Sequence, residues 1–342
     1  MSPDFTPALS LDLGATPPGR PDHGQRPAET GDTAVHDVVI VGSGPAGYTA
    51  AIYTARADLN PIVLAGSVTA GGDLMNTTDV ENYPGFTDGI MGPELMATMQ
   101  AQAERFGADV RYEDAIKLEL EGPIKEITVE GGEVLRARTV ILATGSAYRE
   151  LGLEDEKRLS GHGVSWCATC DGFFFKGQNI AVVGGGDSAI EEATFLTKFA
   201  DKVTLIHRRD EFRASEIMQK RAFDDPKIEI LWNKRVIGIS GEAKVEELSL
   251  EDTVTGEVGA LPVTGLFVAI GSDPRTHLFK DQVEITAEGT VAVDARSSRT
   301  SLPGVFAAGD VLDSTYRQAV TAAGSGCVAA IDVEHYLATV KA

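Results

Sequence analysis

Cysteine is scarce in this chain, with three in 342 residues. So few thiols exclude the disulfide-stapled secreted scaffolds, which replace a missing core with several bridges. Long apolar runs are absent too, and none approaches the ~20 residues that a membrane-spanning helix requires. Positive charge is in short supply: 30 Lys and Arg stand against 51 Asp and Glu, a formal net charge of −21. A surface of that sign repels polyanions, which excludes nucleic acid and anionic membranes as general partners. The first 35 residues, with Pro17, Pro18 and Pro21 among scattered Gly, Asp and Arg, lack the basic start and apolar stretch of a secretory signal. They are expected to form a disordered tail on a cytoplasmic protein. A metal-ligand set is missing as well: Cys167 and Cys170 could be half of a zinc site, but Cys327 is remote and brings no second pair.

What remains is a 43% hydrophobic chain, long enough for about two domains at ~150 residues each. The apolar strand Asp37 to Val41 runs into Gly42-Ser43-Gly44-Pro45-Ala46-Gly47, and Ala46 to Ala57 then reads as a small-residue helix. Asn179 to Val183 repeats the strand, and Gly184-Gly185-Gly186-Asp187-Ser188-Ala189 repeats the turn. Ile190, Ala193, Leu196 and Phe199 fall at helical spacing after it. Val140 to Gly145 and Leu266 to Gly271 each read as a buried strand closed by glycine, so the similarity extends over whole domains. The fold class is α/β with a duplicated nucleotide-binding unit.

In the first turn Gly42 permits the tight bend, Gly44 lets backbone approach a pyrophosphate, and Gly47 lets helix and strand touch. The helix N-terminus offers free N–H groups and partial positive charge to phosphates. Ala189 in place of a last glycine still permits close packing in the second copy. The two sites differ after their second strands. Val203 to Ile206 leads into His207-Arg208-Arg209-Asp210-Glu211-Phe212-Arg213, where a carboxylate for a ribose hydroxyl would otherwise stand. Three guanidiniums there suit a 2′-phosphate and favour NADPH over NADH. In the first copy, Ile62 to Gly66 carries no such carboxylate.

Cys167 and Cys170 are spaced for a disulfide at the start of a turn, and Asp171 follows as a possible proton donor or acceptor. An inert pair of core cysteines is the alternative reading. Cys327, in a small-residue segment, reads as a buried helix residue. Two nucleotide turns and a dithiol together suggest a hydride relay.

The ordered set of motifs resembles the bacterial low-molecular-weight thioredoxin reductases over roughly residues 36 to 340. The matching segments are Gly42 to Gly47, Cys167-Ala168-Thr169-Cys170-Asp171-Gly172-Phe173-Phe174, His207 to Asp210, Val80 to Gly85, Gly304 to Asp310 and Tyr316 to Ala319. A dithiol between the two turns, rather than early in the first, separates this group from the glutathione-reductase-like enzymes. The resemblance implies two Rossmann-like domains: an FAD domain of residues 36–145 and 272–342, and an inserted NADPH domain of residues 146–271. Gly42, Ser43, Gly44, Ala46, Gly47, Gly66, Gly72, Asp73, Asn82, Asp310, Arg317, Gln318 and Ala319 would then surround the flavin. Gly184, Gly186, Asp187, Ser188, Ala189, His207, Arg208, Arg209 and Arg213 would hold NADPH. Cys167 would attack the partner disulfide, Cys170 would lie nearer the flavin, and Phe173 and Phe174 would offer an apolar docking patch unless they serve the core.

The resemblance also implies a thioredoxin partner, a homodimer, and rotation between the domains near Thr144-Gly145 and Gly271-Ser272. One departure is Gly71-Gly72-Asp73-Leu74, where many relatives read Gly-Gly-Gln-Leu. A carboxylate accepts but does not donate, so Asp73 is expected to turn to backbone donors or to alter the flavin potential. Trp166 and His162 stand where relatives vary, suited either to partner fit or to packing. Three rival readings share parts of this set. A ferredoxin-linked flavin reductase would not need Cys167 and Cys170, and a dithiol oxidase would keep the cysteines but would not need Arg208, Arg209 and Arg213. A nucleotide-binding redox sensor would not turn over.

Overall fold

The computed structural model describes residues 34–68 and 70–340. Most of the expected tail lies outside the described residues, and Val35 already opens the first strand, Val35–Val41. That strand is central in a sheet ordered Asp109–Arg111, Ile62–Leu64, Val35–Val41, Val134–Leu142, then Lys125–Val129 and Ala115–Glu119. Val134–Leu142 is shared along its length: its first half pairs antiparallel with Lys125–Val129, and its end pairs parallel with Val305–Ala307. Both faces of the central strand are covered, which its unbroken apolar run demands. Val38 and Ile40 enter one core with the helices Pro45–Arg56, Gly92–Arg105 and Ala319–Val340. Val39 and Val41 enter the other, with Leu118, Phe279 and Val283.

The second sheet repeats the plan, ordered Val164–Ser165, Gly265–Ala269, Asn179–Gly184, Lys202–Ile206, Ile228–Leu231 and parallel throughout. A three-stranded antiparallel sheet, Lys234–Ser240, Glu247–Asp252 and Val258–Pro262, lies beside it in the chain. The glycine-turn helix here is Asp187–Leu196. It stops short of Phe199, because Leu196 O accepts the N–H groups of both Phe199 and Ala200 and closes the last turn. Phe199 instead packs its ring against Phe173 and Phe195. Likewise the closing strands end at Leu142 and Ala269, before the expected glycines.

Those glycines mark the crossings. Ser146–Tyr148 and Ser272–Pro274 pair antiparallel, so the chain enters and leaves the second sheet's unit through one two-stranded ribbon. Gly145 and Gly271 precede the two strands with φ of +70° and +104°, a region that side chains disfavour. No helix among the described residues is long and apolar enough to cross a membrane.

Small residues bring the helix Pro45–Arg56 against Ala319–Val340. A Cβ on Gly326 would lie 2.2 Å from Ala46 O, whereas one on Gly324 would meet nothing within 4 Å. Gly326→Ala is therefore expected to destabilise the protein by about 1–3 kcal/mol through overpacking. Gly324→Ala, in the same helix, is expected to be neutral or stabilising by up to about 1 kcal/mol. Urea unfolding of the two variants measures the contrast.

Candidate active site between the two glycine turns

Each turn leaves open space where a phosphate would sit. A Cβ on Gly42 would stand 2.2 Å from Ala143 O, and one on Gly47 would stand 2.0 Å from Gly42 O. Nothing lies within 4 Å of the same position on Gly44, at the start of the helix Pro45–Arg56. Backbone is thus packed tightly behind the turn and is clear in front of it, the arrangement a pyrophosphate needs. Ser43 donates its hydroxyl to Ala65 O at 2.7 Å and accepts Gly71 N–H at 2.8 Å, fastening the Gly71-Gly72 loop across the turn. Gly72 comes close enough that its Cβ would lie 3.3 Å from Gly44 Cα. Gly66 holds φ of +90°, past the end of the second strand.

Asp73 does not turn to backbone donors: its carboxylate pairs with the Arg275 side chain at 3.0 Å. Both partners are about half exposed, so the pair contributes little stability and serves to set local charge. Asp310 lies deeper. Burial pushes its carboxyl up to about 7, with Asp313 and Asp73 adding to the rise and Arg317 and Arg275 opposing it. It lines a cavity of about 170 Å³ with Ser188, Ser272, Asp313 and Arg317. A carboxyl pushed toward its neutral form beside this cavity can donate to or accept from a polyhydroxyl chain, which fits the flavin's polyol. Arg317 has φ of +48°, holds its N–H on Asp313 at 3.0 Å, and sends its guanidinium to the Ser272 hydroxyl. Ala319 begins the last helix, and Thr321 accepts the Gln318 N–H before it.

The second turn is built alike. A Cβ on Gly184 would meet Ala189 Cβ at 2.4 Å, while Gly186 faces open space. His207 is found beneath the turn: it is buried, its Nδ1 lies 2.8 Å from Gly184 O, and a Cβ on Gly185 would strike its ring at 2.2 Å. Burial holds its pKa below the ordinary value, so it supports the turn as a neutral ring. Asp187 accepts Ser215 N–H and hydroxyl at 2.7 and 3.0 Å, and Arg213 N–H bonds Gly185 O at 2.9 Å. These bonds fasten the arginine loop to the turn. Arg208, Arg209 and Arg213 are exposed, and among the described residues none forms an ion pair.

Cys167 and Cys170 form a disulfide. The Cys170 N–H points at Cys167 Sγ at 3.2 Å, and Thr169 Oγ1 lies 3.4 Å from the same sulfur. The sulfurs face residues of the first unit. Gln318 Nε2 lies 3.7 Å from Cys167 Sγ, its Oε1 lies 3.8 Å from Cys170 Sγ, and Asn82 donates to that Oε1 at 3.3 Å. Asp171 is half-buried, and this desolvation raises its carboxyl above the usual range, with the Ser165 hydroxyl opposing. Ser165 also accepts the Cys167 N–H at 3.0 Å, a link that sequence reasoning missed although the serine stands two residues from the cysteine.

Phe173 and Phe174 are 61% and 44% exposed, so the alternative in which they serve the core falls away. Trp166 is partly buried against the core that holds Leu159, Val164 and Leu266, and His162 is exposed with its ring on Ser160 O. Cys327 is half-buried in the last helix, against Tyr53.

Asp310 yields a stability test with a defined sign. Its folded pKa is raised, so its contribution is present at low pH and is lost as pH rises toward and through about 7. In flavin-free protein, the stability of the parent relative to Asp310→Asn is expected to fall between pH 4 and 8, measured by urea unfolding across that range.

Residues 36–326 match the family model described as pyridine nucleotide-disulphide oxidoreductase. A thioredoxin reductase from Streptomyces coelicolor is 62% identical over 90% of this chain and 95% of its own length. The crystal structure of thioredoxin reductase from Streptococcus pyogenes is 44% identical and covers 90% of this chain and 100% of that one, with a TM-score of 0.85. A Lactococcus lactis thioredoxin reductase described as in the FR conformation is 41% identical and covers 89% and 99%, yet its TM-score is 0.59. With the glycine turns, the disulfide between them and the basic loop all in place, the chain belongs to the thioredoxin reductase family of pyridine nucleotide-disulphide oxidoreductases.

Proposed function

We propose that this protein is a thioredoxin-disulfide reductase that uses FAD at the first glycine turn, NADPH at the second, and Cys167–Cys170 as its redox pair. The observation that carries this reading is the position of the disulfide. It belongs to the second unit's chain segment but rests on Gln318 of the first, whose side-chain oxygen Asn82 holds. When bound, the two cofactors supply the hydride chemistry that brings an electron pair to this disulfide. The chain's own residues do the rest. Residues 36–145 and 272–342 form the FAD unit, and residues 146–271 form the NADPH unit, a division that the two separate sheets support.

Gly44, Ala46 and the helix behind them receive a pyrophosphate, Asp310 holds the polyol, and the amides from Arg317 to Ala319 approach the ring. Arg208, Arg209 and Arg213, being unpaired, are free to bind a 2′-phosphate. Asp171 holds a proton next to the cysteine pair. Cys167 attacks the partner disulfide, with Phe173 and Phe174 as the exposed apolar surface beside it.

In the arrangement described, the sulfurs occupy the approach to the first unit, so a nicotinamide carried by the second unit has to reach it in another arrangement. Rotation about the ribbon accounts for this. Two relatives of nearly equal identity but very different TM-scores support it, since divergence of sequence does not explain that difference. Tyr53, Val320, Val328 and Ile331 are exposed on neighbouring helices and support a homodimer, which sedimentation tests.

NADPH consumption with oxidised thioredoxin from the same cell tests the function. Turnover is expected in the parent and lost in Cys167→Ser. Arg208→Ala and Arg213→Ala are each expected to lower kcat/KM for NADPH about 10- to 100-fold while sparing NADH. Flavin reduction without thioredoxin reduction would retain the relay and overturn the partner. For rotation, Ser188→Cys and Ser314→Cys place thiols around one cavity from opposite units. Joining them with a short bismaleimide is expected to abolish turnover relative to the unjoined variant, and intact turnover would overturn the motion.

A further inference from the structure

Glu192 carries a carboxyl oxygen that is buried and has no task in the proposed mechanism. Glu192 lies on the helix Asp187–Leu196, directly behind the dithiol turn, where the Ala168 N–H faces it. Its Oε2 is buried with no hydrogen-bond partner. A buried carboxylate with an open lone pair costs stability, so its place calls for a functional account. The opposite charge that reaches it, Arg317, comes from the other unit and is immediately followed by Gln318, which touches both sulfurs. On its own helix Glu191 faces it, and from the ribbon Tyr148 does, with Asp310 and Asp73 beyond.

We propose that Glu192 is a positioning residue for the dithiol: it holds the Ala168 amide in the cysteine turn and its charge sets the protonation of the reduced cysteines. When the disulfide accepts an electron pair, the S–S bond breaks and two thiolates form. Each becomes a thiol only by taking one proton. A carboxylate behind the turn favours that uptake and, by the same attraction, stores the next proton. Burial raises Glu192 to about 7, with Arg317 and the Ala168 amide opposing and Glu191 adding. Asp171, on the Ser165 side of the pair, is a separate group.

This inference rests on the dithiol reading, but its test needs neither NADPH nor thioredoxin. Holoenzyme is reduced chemically, freed of reductant, and alkylated with iodoacetamide across pH 5 to 10. Glu192→Gln is expected to shift the alkylation midpoint about one unit downward, because removing the negative charge favours thiolates. Glu192→Asp keeps the charge and is expected to retain the parent midpoint. A Gln variant with the parent midpoint, or an equal shift in the Asp variant, would overturn the role. Loss of NADPH-driven reduction with the midpoint shift intact would instead overturn the dithiol reading.

Discussion

Backbone lying on backbone with no side chain between is the constraint from which this structure follows. At Gly42, Gly47, Gly184 and Gly326 an added methyl would fall 2.0–2.5 Å from another atom, most often a carbonyl oxygen. Such closeness draws the helices against the strands and turns their first free N–H groups toward an open space. A nucleotide is then held by geometry alone, with little requirement on side chains around its phosphates. The chain can therefore vary what surrounds each site, placing arginines beside one and a buried carboxyl beside the other.

The seam between the two units works by the opposite physics. Asp310, Glu192 and Asp171 are all pushed toward their neutral forms by burial, and Arg317 opposes two of them. Charge in such a place is costly to hold and easily changed, which suits a site where electrons and protons must arrive together. The exposed ion pair of Asp73 with Arg275 lies at the edge of this region and adjusts its field without the same cost.

Much of this was legible in the chain. Both strand-turn-helix units, the dithiol and the basic loop occupy continuous stretches, because nucleotide turns and redox pairs are built from sequence neighbours. The helix end before Phe199 was not legible, since the turn closes through Leu196 O in a way that apolar spacing does not record. His207 read as part of a phosphate-binding run, yet it supports the turn from below, a difference that depends on which way one side chain points. The partner of Asp73 stands 202 residues away, and Gln318 stands 148 from Cys170. Contacts of that separation leave no local pattern. Glu192 gave no signal at all, because a carboxylate one turn into a helix reads as a solvated residue until another unit covers it.

The ribbon of Ser146–Tyr148 with Ser272–Pro274 means that the second unit begins and ends at the same point. A segment whose ends already touch can be removed from a chain, or placed in another, without stretching what it leaves behind. The fold is in this sense an host sheet with a detachable guest, joined at one spot narrow enough for a single turn to replace it. A duplicated unit could enter its own copy there without disturbing the host's strand order.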